Sequence, residues 1–220
     1  MKNWIAYLLL IVSVLACSKE NASDTETYEP TPLPLNIPQI FSNNIIPPVI
    51  PNNNPQTVEG VALGKKLFFD KTLSANQTIA CASCHAPQNA FTDNTPTSDG
   101  IDGIFGTRNS MPLFNLAWNY GERFTWDGKE LSLERQAIEP VQNPIEMHSD
   151  WDDVVDRLQV DNDYPELFRL AFKTSTITKE LTTKAIAQFE RTLISANSKY
   201  DRFSLVQAPL TQHEIGKATR

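Results

Sequence analysis

The residues that most restrict what this chain can fold into are Cys81-Ala82-Ser83-Cys84-His85. Two cysteines at this spacing lie about one helical turn apart, so both thiols can reach one flat partner. The adjacent histidine can then point its imidazole at the centre of that partner. The C-x-x-C-H pattern is the signature of covalent c-type haem attachment, in which thiols bond the porphyrin vinyl groups and His85 becomes the proximal iron ligand. A zinc half-site would need a further Cys or His cluster at suitable spacing. The chain holds only three cysteines and three histidines, and no second cluster exists. A cytosolic redox dithiol conflicts with the leader at the N-terminus.

That leader is Lys2 followed by an apolar run, Trp4 to Ala16, ending in Val14-Leu15-Ala16-Cys17. The run is short for a membrane-spanning helix and fits the apolar region of a signal peptide. A cysteine directly after a small residue resembles a bacterial lipoprotein signal, with residues 1–16 removed and lipid placed on Cys17. The alternative is an ordinary signal peptide with an incidental cysteine. Either way the chain is expected to be exported, and with the lipid it is periplasmic and tethered to a membrane face. Acidic residues outnumber basic ones 26 to 19, a net charge of -7, which argues against nucleic-acid binding through the overall field.

Residues 17–56 are rich in Pro, Asn and Ser, and the stretch from 18 to 56 holds eight of the 15 prolines. It reads as an extended spacer, with 40–50 apolar enough to lie along a domain surface. From 57 to 205 the pattern is helical, interrupted by turn-rich residues 86–128. Leu63, Leu67 and Phe68 form one stripe, and Gly64 offers a close helix approach. Ser132 starts a helix running to about Glu139, and Ser149 with Asp152 forms a capping box. Pro165 starts a helix burying Leu167, Phe168, Ala171 and Phe172. A longer helix over 178–197 aligns Leu181, Ala185, Phe189 and Leu193. No strand alternation appears. The expected class is all-α, a cytochrome c-like haem domain with long structured loops.

Function turns on the iron position opposite His85. Met111, Met147, His148 and His213 are the candidates, and spacing assigns none of them. A Met or His there marks an electron-transfer cytochrome, and an open position marks a peroxidase.

Several further stretches carry a resemblance. They are Leu63-Gly64-Lys65-Lys66-Leu67-Phe68-Phe69-Asp70, Ala90-Phe91-Thr92-Asp93, Arg108-Asn109, Phe124-Thr125-Trp126-Asp127-Gly128, Leu133-Glu134-Arg135-Gln136-Ala137 and Asn143-Pro144-Ile145-Glu146-Met147. In this order they resemble the bacterial di-haem cytochrome c peroxidase family, MauG-type enzymes included, over about residues 60–205. The resemblance implies an all-α fold and reduction of hydrogen peroxide to water. It matches Trp126 to a tryptophan between two haems, Gln136 and Glu146 to the distal pair of the peroxidatic haem, and Asn109 to a calcium ligand. Taken singly, Trp126 also reads as a core aromatic, Gln136 as a surface polar residue, Glu146 as a cap and Asn109 as a turn residue.

The implied cofactors are one haem c and calcium. The implied electron donor is a small redox protein, a cytochrome c or cupredoxin. Glu146 is the expected proton carrier and Gln136 the group orienting peroxide. The sequence departs from the family pattern twice. No histidine lies between His85 and His148, so a distal loop histidine is missing. The second C-x-x-C-H is also absent, and 206–220 reads as the start of a missing second haem domain in a fragment or truncated product. A one-haem electron-transfer cytochrome and a MauG-type oxidase of a protein side chain remain alternatives.

Overall fold

A computed structural model describes residues 28–204. The leader at 1–16, Cys17, His213 and the 206–220 segment lie outside the described residues. Among the described residues the chain is helical, with isolated bridges such as Pro32 to Thr57 and no strand. No helix among them is long and apolar enough to cross a membrane.

Among the described residues the α-helices are α1 (Gln39–Asn44), α2 (Val58–Phe69), α3 (Cys81–Cys84), α4 (Leu133–Gln136), α5 (Glu139–Gln142), α6 (Trp151–Gln159), α7 (Tyr164–Phe172), α8 (Lys179–Arg191) and α9 (Lys199–Ser204). The central pair is α2 against α8. Thr57 caps α2 by accepting the Gly60 amide at 3.0 Å, and Thr178 caps α8 by accepting the Leu181 amide at 3.2 Å. A methyl at Gly64 would fall on the Ala185 carbonyl, so only glycine lets the two helices cross this closely. Leu63 and Leu67 of α2 are buried with Ala185 and Ile186 of α8 and with Val154, Leu158, Tyr164 and Phe168 of α6 and α7. Each such large apolar side chain contributes roughly 1.5–3 kcal/mol through burial. A second cluster joins Phe68, Phe189 and Leu113 to Cys81, Ala82 and Phe91, which ties the thiol-bearing turn to the α2–α8 crossing.

Several expectations shift in detail. The helix expected from Ser132 to Glu139 is two short ones, α4 and α5, with Ala137 and Ile138 between and Pro140 in the first turn of α5. Ser149 does not cap α6. Asp150 does, accepting the Asp152 amide at 2.8 Å. The Ser149 hydroxyl instead accepts from the Arg157 guanidinium at 2.6 Å. Of the residues expected to be buried in α7, Phe168 and Ala171 are, while Leu167 and Phe172 are partly covered. The helix expected to reach residue 197 stops at Arg191. There the Leu193 carbonyl accepts the Asn115 amide at 2.7 Å, and the Asn115 side chain bonds both the Ser195 amide and carbonyl.

The end of the Pro-rich stretch is built into the fold. Asn54 is 1% exposed, donates to Glu134 Oε1 at 2.7 Å and accepts from Gln188 at 2.9 Å. Its middle runs along the surface, with Val49 N–H on the Ala117 carbonyl at 2.9 Å and the Tyr120 hydroxyl donating to the Ile46 and Pro47 carbonyls.

Candidate haem-binding cavity

The one-turn helix α3 ends at His85, where the backbone leaves the helical region (φ -113°, ψ 65°). Cys81 and Cys84 are free thiols. Burial pushes the Cys81 thiol up to about 12, with the Glu190 charge adding to the effect. Burial likewise pushes Cys84 up to about 11, with Asp93 adding. Both are therefore protonated near neutrality. The loop that follows turns back through Ala90 and Phe91, both left-handed at φ 57° and 58°. This brings the Phe91 carbonyl to 2.9 Å from His85 Nδ1. A carbonyl can only accept, so Nδ1 carries the proton, and Nε2 is the nitrogen that would bind a metal. Burial holds His85 below the usual histidine range, which keeps the imidazole neutral.

Asp93 and Ser110 hold the loop in place. Asp93 accepts from the Ser98 hydroxyl at 2.5 Å, and the Ser110 hydroxyl donates to the Cys84 carbonyl at 2.7 Å. Ala90-Phe91-Thr92-Asp93 is thus the segment that orients His85.

The two thiols and His85 open on a cavity of about 360 Å³. Ile79, Leu113, Val141 and Ile186 supply apolar walls, and Arg108, Arg123, Asn143 and Glu146 supply polar ones. Two free thiols, an imidazole with one nitrogen committed and an apolar floor fit a haem c. Cys81 and Cys84 would hold it covalently and His85 would ligate its iron.

Glu146, Gln136, Trp126 and Asn109 also line this cavity. Glu146 accepts from Asn143 Nδ2 at 2.8 Å. Desolvation raises its carboxyl above the usual range against that hydrogen bond, and the Glu139 charge reinforces the rise. Gln136 stands on the last residue of α4 and its side-chain amide makes no hydrogen bond among the described residues. Trp126 is 53% exposed and donates from its indole to the Asn109 carbonyl at 3.0 Å, so it is a cavity-rim residue and not a core aromatic. Asn109 is exposed. No group of three or more His, Cys, Asp or Glu among the described residues converges to hold a metal ion.

Met111 and Met147 line the cavity too. His148 does not, and it is exposed, with a left-handed φ of 48°. Sequence reasoning missed Glu190. It is buried on α8 and lines the cavity four residues after Ile186, one stripe over from Ala185 and Phe189. The i, i+4 spacing to Ile186 was the available signal.

An all-α domain that presents two thiols and an imidazole to one cavity from a single turn of helix is a cytochrome c-like domain. More narrowly, this chain belongs to the di-haem cytochrome c peroxidase family, whose model matches residues 58–208. It is 42% identical over 156 residues to the methylamine utilization protein MauG of Methylorubrum extorquens, covering 70% of this chain and 44% of that protein. It is 40% identical over 159 residues to the cytochrome c peroxidase Ccp of Escherichia coli, covering 70% of this chain and 33% of that protein. The crystal structure of a MauG-like protein associated with microbial copper homeostasis matches with a TM-score of 0.75 and 34% identity, over 83% of this chain and 53% of that one. The chain spans less than half the length of these curated relatives.

Proposed function

We propose that this chain carries haem c on Cys81 and Cys84, with His85 as proximal ligand, and reduces hydrogen peroxide to water using electrons from a small redox protein, a cytochrome c or cupredoxin. The observation that carries this reading is the meeting, in one cavity with the thiols and His85, of a carboxyl of raised proton affinity, Glu146, and an uncommitted amide, Gln136. When bound, haem supplies the electrons that break the O–O bond. Glu146 takes a proton from one peroxide oxygen and returns it to the departing one. Asn143, bonded to Glu146 Oε1, fixes which oxygen faces the cavity. Gln136 orients peroxide by its free amide. Trp126, at the rim, is the contact through which electrons enter.

Lipid on Cys17 and export to the periplasm complete the reading. They rest on the sequence of residues 1–17.

The haem-loaded chain is expected to give a high-spin ferric spectrum and to consume peroxide with a reduced cytochrome c or cupredoxin as donor. Glu146→Gln is expected to keep haem and lose turnover by about 10²–10⁴-fold. Unchanged turnover removes Glu146 from the mechanism. Because Met111 and Met147 line the cavity, the second reading is an electron-transfer cytochrome. A stable Met-ligated low-spin spectrum without peroxide turnover would establish it in place of the first.

A further inference from the structure

The peroxide chemistry leaves one buried acid in the cavity unused. Glu190 is 4% exposed and shares the cavity with Cys81, Cys84 and His85. Its Oε2 has no hydrogen-bond partner among the described residues. The adjacent Arg191 does not supply one: its Nη2 meets Glu134 Oε1 at 2.8 Å, and its buried Nη1 makes no hydrogen bond among the described residues. A buried carboxylate without a partner is strongly disfavoured, so the group is held neutral. Burial pushes Glu190 up to about 8, Arg191 opposes this and Glu134 adds to it.

We infer that Glu190 is a proton-binding site coupled to the oxidation state of the haem held by Cys81, Cys84 and His85. Glu190 takes up one proton from water when the haem takes up one electron from the donor protein. The carboxylate gains an O–H bond, and ferric iron becomes ferrous. It releases the proton when that electron leaves. The cause is electrostatic. Ferric iron adds a positive charge to the cavity and stabilises the carboxylate, and its loss raises the proton affinity of Glu190.

Other ionisable groups face Glu190. Arg191 lies on its own helix, Glu134 comes from α4 and Cys81 from α3. Glu139, Glu146, Asp99, Asp127, Arg108 and Arg123 line the same cavity. Among these acids, Glu190 has the buried oxygen that lacks a partner. Proton uptake at this point delivers charge-compensated electrons to a reaction that consumes protons.

The inference rests on haem attachment at Cys81 and Cys84, which the spectrum of covalently bound haem reads separately. The test is the reduction potential of the haem-loaded chain against pH, for wild type and Glu190→Gln. The wild-type potential is expected to fall as pH rises from the proton affinity of Glu190 in the ferric chain to its higher affinity in the ferrous chain, approaching a tenfold change in the reduction equilibrium per pH unit, about 59 mV for one electron. In Glu190→Gln it is expected to be flat there.

A flat wild-type potential, or a slope kept in the variant, overturns the role of Glu190 while leaving the haem site standing. A chain that takes no covalent haem overturns the site reading and this inference together. If Glu190→Gln does not load haem, the wild-type reduced-minus-oxidised infrared difference spectrum decides. A protonated-carboxyl band gained on reduction supports the inference, and its absence overturns it.

Discussion

His85 donates its Nδ1–H to the Phe91 carbonyl at 2.9 Å, and that carbonyl is in reach because Ala90 and Phe91 are both left-handed. For residues with a Cβ this conformation costs about 1–2 kcal/mol each. It is held by the Phe91 N–H on the Ala86 carbonyl at 2.9 Å and by Thr92 Oγ1 on the Ser110 carbonyl at 2.7 Å. The strain is what fixes the tautomer and direction of the imidazole.

Proline cannot reach the φ of 57° found at Ala90. Ala90→Pro is therefore expected to lower stability by about 2 kcal/mol or more and to disturb the His85–iron spectrum of the haem-loaded chain. Ala90→Gly, which relieves the strain, is expected to leave the spectrum alone and change stability by no more than about 1 kcal/mol. Chemical denaturation and visible absorption read the two effects. An unaltered spectrum in Ala90→Pro would break the link between the loop and the ligand.

The crossing of α2 and α8 gives a second test. In an open helix, Gly→Ala stabilises by about 1 kcal/mol. At Gly64 the added methyl meets the Ala185 carbonyl, a backbone atom that cannot rotate away. Gly64→Ala is expected to destabilise by about 1–3 kcal/mol or more. Gly121→Ala, where the nearest atom is an Asn119 side-chain oxygen at 3.6 Å, is expected to move the melting temperature much less.

Local signals were the legible ones. The helical patterns that begin after 57 and at about 178 form as α2 and α8, and Leu63, Leu67, Ala185 and Phe189 face inward on helical spacing. What escaped depends on partners far along the chain. Ser149 and Asp150 are both adequate caps, and Arg157 decides between them by taking the Ser149 hydroxyl. The C-terminal end of α8 is set by Asn115, which draws residues 193–195 out of the helix. The haem motif placed Cys81, Cys84 and His85 directly, and the resemblance placed Gln136 and Glu146. A glutamate such as Glu190 reads as solvated from sequence, because only the packing around α8 buries it.

Asn143 governs how Glu146 titrates. Its amide donates to the Glu146 carboxyl at 2.8 Å, which favours the ionised form against the desolvation that raises it. Removing that donor in Asn143→Ala raises the proton affinity of Glu146 further. The acid limb of peroxide turnover, which needs Glu146 ionised to accept a proton, is then expected to move to higher pH, by about one unit for a charged hydrogen bond of about 1.5 kcal/mol. Glu139→Gln removes a like charge and is expected to move the limb the other way. Shifts in the same direction for both variants would exclude Glu146 as the titrating group.

Glu190 also couples folding to pH. Its folded-state affinity, pushed up to about 8 by burial, stands above the usual value of 4.5 for an unfolded chain. Between those values the folded protein binds a proton that the unfolded chain has released. The stability contributed by this group is thus fully present below 4.5 and declines as pH rises towards 8, with a slope of at most about 1.4 kcal/mol per pH unit. The Glu134–Arg191 pair acts on the opposite side. Although burial alone would raise Glu134, Arg191 and Asn54 hold it below its usual range, so the stability it contributes is lost on acidification. Glu190→Gln removes the alkaline decline and leaves the acid loss intact. Urea unfolding of the haem-loaded chain across this interval is expected to show a falling midpoint in wild type and a flat one in Glu190→Gln. A midpoint that falls equally in both would mean that Glu190 is ionised in the folded state.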